Sequence, residues 1–295
     1  MLFYPSYCGD GVILGINLFI NSLLPAILPF IIFSNILIKS NISKELGRIF
    51  YPLTHKLFNV SAEGSYAVIM GFLCGYPVGA KIINDLYFAD KITKYEANYL
   101  FRFINHASPA FIQGYIVFSL LNSPHYRILA ITLTYLPEII IGLIYRNSTG
   151  YISSSDTDIE KKYPLSKILD DSIFDALLTT IKIGGYLILF SIAATLINHI
   201  TFLSLSIKTL IISFFEITSG SYYISHLKFN SIYKLFFCII ICISGGLSTF
   251  FQINSVTRNS NLNIKIYIIS KIQSIIICTL LFLLYIGIKI YINVL

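Results

Sequence analysis

The chain has 295 residues, 56% of them hydrophobic and 12% charged, with a formal net charge of +7 and a mean hydropathy of +0.76. A soluble domain carries about 25% charged residues, so this composition predicts an all-α polytopic integral membrane protein. It excludes a separate soluble domain, because no polar stretch is long enough to build its own core. The Lys and Arg excess is read as headgroup anchoring and topology, with no nucleic-acid partner. The expected partner is the lipid bilayer of the cell membrane, crossed several times. Five cysteines occur: Cys8, Cys74, Cys238, Cys242 and Cys278. Four sit in apolar runs, where Cys packs as a small hydrophobe. Cys238 and Cys242 share a helix face, but no His or acid completes a metal site, so neither metal nor cofactor is expected.

In chain order, the amino terminus lacks basic residues and carries Pro5 and Asp10, which reads as a retained element and not a cleaved signal. Gly11–Ile38 is the first apolar run, long enough to span. Pro25 and Pro29 either kink a single helix there or make a re-entrant hairpin, and Asn17, Asn21 and Ser22 add polarity. Residues 41–59 have apolar residues at helical spacing with Lys44, Arg48 and Lys56 between them, predicting an interfacial amphipathic helix that bends at Pro52.

An apolar approach over 66–74 then runs into Gly75-Tyr76-Pro77-Val78-Gly79. Gly loosens a helix and Pro removes a donor, so the helix is predicted to break here. Lys81 and Asp85 follow at i, i+4; they form an interfacial ion pair, or Lys81 meets an anionic solute group. Thr93-Lys94-Tyr95-Glu96 has capping-box spacing and predicts a helix over 94–103, which Asn105-His106-Ala107-Ser108-Pro109 ends. Ser108-Pro109 restarts a helix, since Pro suits a first turn. The Ser108 hydroxyl, the Asn105 amide and free N–H groups would then face one spot. The next run, 110–121, is short unless the preceding helix is partly embedded. Tyr126–Arg146 is a span with Pro137-Glu138 at its middle, where a carboxylate is either functional or a satisfied structural acid. Residues 147–164 are Ser-rich and charged, a plain linker. Ser166–Asp175 opens an amphipathic helix leading into the apolar run 181–198.

The segments on either side of the linker look alike, predicting one repeat over 1–146 and a second over 165–295. Phe33-Ser34 matches Phe190-Ser191. Gly75–Gly79 corresponds to Glu216-Ile217-Thr218-Ser219-Gly220-Ser221, and Asn105–Gln113 to Ser244-Gly245-Gly246-Leu247-Ser248-Thr249-Phe250-Phe251-Gln252. Paired interruptions in two halves point to a midplane binding site in secondary transporters. Glu216 either binds a cation or proton, or hydrogen-bonds the opened backbone. Asn254, Thr257, Arg258, Asn259 and Asn261 form a polar exit, and Lys271 and Gln273 interrupt the last run, Ile264–Leu295.

The segments CGYPVGAK and NHASPAF, with EITSG and SGGLSTFFQ in the second half, resemble the YlbJ family of sporulation integral membrane proteins, within the nucleoside-recognition or Gate superfamily. Cys74 stands at the small-residue position of the first motif. The resemblance implies two Gate-like repeats with broken helices or re-entrant hairpins, a sporulating Gram-positive source and a role in spore formation. It does not identify a solute.

Two functions compete. One is a transporter-like protein binding or moving a small polar solute between the repeats. The other is a non-transporting scaffold for spore cortex or coat assembly, in which homo-oligomers or sporulation membrane partners would enter. A water-accessible cavity between the breaks favours the first. No catalytic residue is expected: His55, His106, His125, His199 and His226 make no metal spacing, and neither GxSxG nor a P-loop occurs. The expected solute site comprises Gly75, Tyr76, Pro77, Gly79, Lys81, Asn105, Ser108, Pro109, Glu216, Thr218, Ser219, Gly220, Gly245, Gly246, Ser248 and Gln252. Charge puts the amino terminus outside and the amphipathic helix inside, yet Lys91, Lys94 and Arg102 follow the next apolar run. Either that run is re-entrant or the rule is blurred. Whether the repeats are parallel or inverted depends on that choice.

Overall fold

The computed structural model describes residues 5–149, 164–258, 260 and 262–294, and its regular structure is helical throughout. Helices α1 (Pro5–Leu18) and α2 (Leu24–Lys39) are joined by a π-helical turn, Phe19–Leu23, whose flanking residues keep right-handed helical torsions. The wider turn absorbs the prolines, so the run is a single long rod and not a hairpin. The rod lies antiparallel along α8 (Leu165–Asn198): Gly11 meets Ile192, Gly15 meets Ile188, Phe19 meets Gly184, and Asn35 Nδ2 donates to the Ser172 carbonyl at 3.1 Å. A Cβ on Gly15 would sit 2.7 Å from the Ile188 Cα, so glycine is what lets the backbones touch.

Helix α3 (Ile42–Phe58) crosses the end of the bundle to which the linker attaches. Its axis makes 88° with α4 (Ala62–Cys74), so the two are not one straight crossing. It buries Gly47 against the Ala62 carbonyl and exposes Ile49 and Leu53, as expected of an interfacial helix; Pro52 sits inside it without a break. α4 then runs inward to Gly75, and α5 (Val78–Phe88) returns to the same end. Gly79 lies against Gly71, and Lys91 Nζ reaches the Ile38 carbonyl at 2.7 Å and Glu63 at 3.7 Å. The α4–α5 pair is therefore a re-entrant hairpin with Gly75-Tyr76-Pro77 at its tip. This accounts for basic residues on both sides of one apolar run.

Helix α6 (Lys94–Phe101) runs parallel to α4, with Glu96 over Gly64 and Ile104 over Gly71. Its capping box is half made. Thr93 Oγ1 accepts from the Glu96 N–H at 3.1 Å, but the Glu96 carboxylate turns away to accept from the Ser61 N–H at 2.7 Å. The helix ends at Phe101, two residues before the predicted Phe103, because the chain turns toward the hairpin tip. It restarts at Pro109 and continues as a π-helix, Phe111–Leu120. The two pieces together cross the bundle, which resolves the shortness of the 110–121 run. After a 3-10 turn at Pro124–Tyr126, α7 (Arg127–Ile144) returns antiparallel to both. The Tyr99 hydroxyl donates to the Gly142 carbonyl at 2.7 Å, Tyr135 to the Ala107 carbonyl at 2.9 Å, and Gln113 to the Arg127 carbonyl at 2.9 Å.

Of the expected linker, residues 150–163 lie outside the described residues. α8 fuses the expected amphipathic start and apolar run into one helix and ends beside Tyr7, which stacks on His199 at 3.7 Å. From that amino-terminal end α9 (Leu205–Phe215) enters and α10 (Ile217–Ser225) returns, with Glu216 between them. Gly220 packs so closely on α9 that its Cβ would lie 2.6 Å from the Ser213 Cα. α11 (Ser231–Ser244) and α12 (Gly246–Thr257) cross back with a break at Gly245, and α13 (Ile264–Val294) crosses again. Asn259 and Asn261 of the predicted polar exit lie outside the described residues. Among the described residues, four segments are long and apolar enough to cross a membrane unaided: Pro124–Ile144, Leu165–Asn198, Ser231–Thr257 and Ile264–Ile292. Two hydrophobic clusters form the core, one around Phe101 and Phe103, the other around Ile112, Ile116 and Ile239, and Tyr76 packs against both.

Candidate functional site

The first hairpin tip is built on Gly75, whose φ of 70° and ψ of −163° are open only to glycine. A Cβ there would lie 2.4 Å from the His106 carbonyl oxygen and 2.6 Å from the Ser108 nitrogen. The freed Tyr76 N–H donates to that carbonyl at 2.8 Å, across a gap any side chain on Gly75 would fill. Pro77 follows a cis peptide and stands at the start of α5. Gly79 passes beneath Asn105, its Cβ position 3.1 Å from Asn105 Oδ1.

The second break is fully buried at Asn105 and His106. Asn105 Nδ2 donates to the Phe101 carbonyl at 3.3 Å, while its Oδ1 has no hydrogen-bond partner. The His106 ring stands edge-on between Phe72 and Tyr135, both centroids 4.7 Å away; its Nδ1 meets the Ala107 carbonyl at 3.1 Å and its Nε2 has no partner. Ser108 Oγ accepts from the Phe111 N–H at 3.3 Å and caps the helix that Pro109 opens.

In the second half the work of opening the chain falls to a carboxylate. Glu216 is extended and 2% exposed; Oε1 accepts from the Thr218 N–H at 2.8 Å and Oε2 from the Ser219 N–H at 2.6 Å. The hydrogen bond to the opened backbone, one of its two sequence readings, is present. The fourth break is a pair of glycines with positive φ, 76° at Gly245 and 64° at Gly246. A Cβ on Gly246 would come within 3.2 Å of the Phe214 carbonyl, so this break abuts the second hairpin tip. Ser248 and Gln252 are buried and bonded to each other, Gln252 Nε2 donating to Ser248 Oγ at 3.0 Å.

Two tyrosines join these pairs across the halves. Tyr76 donates to the Cys242 carbonyl at 3.1 Å, beside the fourth break, and Tyr115, beyond the second, donates to the Thr218 carbonyl at 3.0 Å. The four breaks are one connected cluster. Within it Asn105 Oδ1 and His106 Nε2 are buried without a hydrogen-bond partner.

Lys81 is not in that cluster. It pairs with Asp85 and, with Asn35, Lys39 and Asp175, lines a cleft of about 240 Å³ at the linker end. A second cleft, of about 220 Å³, opens at the amino-terminal end between Asp10, Leu14, Asn198 and Tyr223 and reaches Ser219 of the second tip. Cys238 Sγ points at the Ser221 carbonyl, 3.9 Å away. Sequence reasoning noted Glu138 and Lys271 separately and missed that they pair, at 2.8 Å. The available signal was opposite charge at the middle of two apolar runs, but nothing in either run names its neighbour.

Comparison with known proteins agrees with this picture. Residues 20–142 match the Gate family, described as nucleoside recognition. The chain is 25% identical to sporulation integral membrane protein YlbJ of Bacillus subtilis (strain 168), over 88% of its own length and 72% of that protein. No solved structure matches. The resemblance carried by CGYPVGAK and NHASPAF is borne out: this is an integral membrane protein whose residues 20–142 are similar to the Gate, nucleoside-recognition family and which is similar to YlbJ along most of its length.

Proposed function

We propose that the protein is a transporter-like component of the cell membrane that serves spore formation and binds a small polar solute between the four breaks. The halves, 1–146 and 165–295, are Gate-like repeats of opposite orientation, each giving a long first helix, a re-entrant hairpin, a broken crossing and a final crossing. The observation that carries the reading is the joining of all four breaks by the Tyr76 and Tyr115 hydrogen bonds. Non-helical backbone at membrane depth is tolerated where it is buried or lines a cavity. Half-helices meeting between repeats are the usual site in secondary transporters. The two clefts lie at opposite ends of the α1–α2 and α8 pair, one at Asp10 and Asn198, the other at Lys39 and Asp175, as access from alternate sides requires. Lys39, Lys44, Arg48, Lys56, Lys91 and Lys94 gather at the linker end, which makes that end cytoplasmic and the amino terminus external.

The test is a thermal-shift screen of purified protein against nucleosides, amino acids, sugars and small organic acids. One class is expected to raise the melting temperature in wild type and fail to do so in Asn105→Ala, which removes the free Oδ1. Spore yield in a sporulating host should fall with the same variant while the protein stays in the membrane. If no class binds, or if binding is indifferent to Asn105→Ala and Ser248→Ala, the scaffold reading replaces this one.

A further inference from the structure

A buried ion pair lies just outside the four breaks. Glu138 on α7 is fully buried, Lys271 on α13 is 4% exposed, and Lys271 Nζ donates to Glu138 Oε1 at 2.8 Å. The second carboxylate oxygen, Oε2, makes no close hydrogen bond; the Ser274 hydroxyl lies near the carboxylate, and the buried Ser270 hydroxyl on the same stretch of α13 has no partner. A pair built only to hold two helices together would have these groups satisfied, because unpartnered polar atoms in such a place cost free energy. The pair also adjoins the breaks. Lys271 Nζ lies 5.6 Å from the centre of the Tyr267 ring, and the Tyr267 hydroxyl comes within 3.6 Å of the Cβ position of Gly245. His106 in the second break lies within reach of the Lys271 charge, and its Nε2 is unpartnered.

We propose that Glu138 and Lys271 form a proton-exchange site. A proton from water joins the free lone pair of Glu138 Oε2, the ion pair opens, and the Lys271 ammonium is left as a single buried charge beside the second and fourth breaks. The groups around the pair are Tyr267 and Cys278 on α13, Tyr135 one turn earlier on α7, Cys242 on α11 beyond it, and His106. Phenol and thiol are uncharged near neutrality, so proton uptake changes the site by one charge, from zero to plus one. A lone charge at this depth is costly, and a change of solute occupancy or of hairpin position is what offsets it. Proton and solute then share one coupling free energy, felt equally by each. The inference rests on the solute-site reading, but its test uses no solute.

Infrared difference spectra of the full chain in nanodiscs, taken between neutral and acid pH, read the protonated-carboxyl stretch, and the band followed is its high-frequency component, which comes from a carboxyl in dry surroundings and stands apart from that of the hydrated carboxyls. The band is expected to appear on acidification in wild type and in Glu216→Gln, and to be lost in Glu138→Gln. It should already be present at neutral pH in Lys271→Gln, where no cation holds the carboxylate ionised. The double variant Glu138→Gln/Lys271→Gln leaves no lone charge, is the one expected to fold normally, and should lack the band. A band that survives in the double variant, or a wild type that shows none, overturns the proposal. A solute screen that fails while the band behaves as described sinks the solute site and leaves the proton site standing.

Discussion

The two hairpin tips perform the same task with different chemistry. At the first, a glycine in a conformation closed to other residues lets the chain reverse, and the freed Tyr76 N–H is taken by a carbonyl of the adjoining break. At the second there is no such glycine; Glu216 stays in ordinary extended backbone and its own carboxylate takes the two freed N–H groups. One tip is closed by its neighbour and the other by itself. An acidic side chain in the middle of a membrane protein can therefore serve as a helix cap, as Glu216 does here.

Substitutions at three positions break or sharpen this contrast. Gly75→Val should have the largest effect, since the new side chain meets backbone and not a yielding side chain; a loss of about 3 kcal/mol or more is expected, read by thermal denaturation in detergent. Glu216→Ala leaves two buried N–H groups without acceptors and should cost about 2–4 kcal/mol, with Glu216→Gln near half of that because one acceptor survives. Equal melting temperatures for Glu216→Ala and wild type would mean the second tip is not self-capped. Tyr115→Phe should cost only about 1 kcal/mol by the same assay, because it removes one cross-half hydrogen bond and leaves both tips closed.

Much of this was legible in the sequence because the breaks are local events. Gly75-Tyr76-Pro77, Asn105–Pro109 and Gly245-Gly246 announce themselves through residues that a helix cannot use, and each stands where the chain opens. Direction was not legible. Hydropathy is the same for a run that crosses and a run that turns back, and only Lys91 and Lys94, on the wrong side of an apparent crossing, hinted that α4–α5 returns. The prolines left a choice open: Pro25 and Pro29 allowed either a kinked helix or a hairpin, and a π-helical turn kept the rod whole. The capping box was right at Thr93 and wrong at Glu96, because Ser61, distant in sequence, competes for the same carboxylate. Glu138 was singled out and Lys271 noted only as an interruption, since pairing across 133 positions is a tertiary fact.

The seam where α1–α2 runs along α8 has a consequence for motion. There Gly11 and Gly15 bring the backbones of α1 and α8 into direct contact, at the Ile192 and Ile188 Cα atoms. Such a contact resists sliding but permits rolling. A swing of one half against the other would thus pivot on the seam, and the phenols of Tyr76 and Tyr115 would be the latches it has to release.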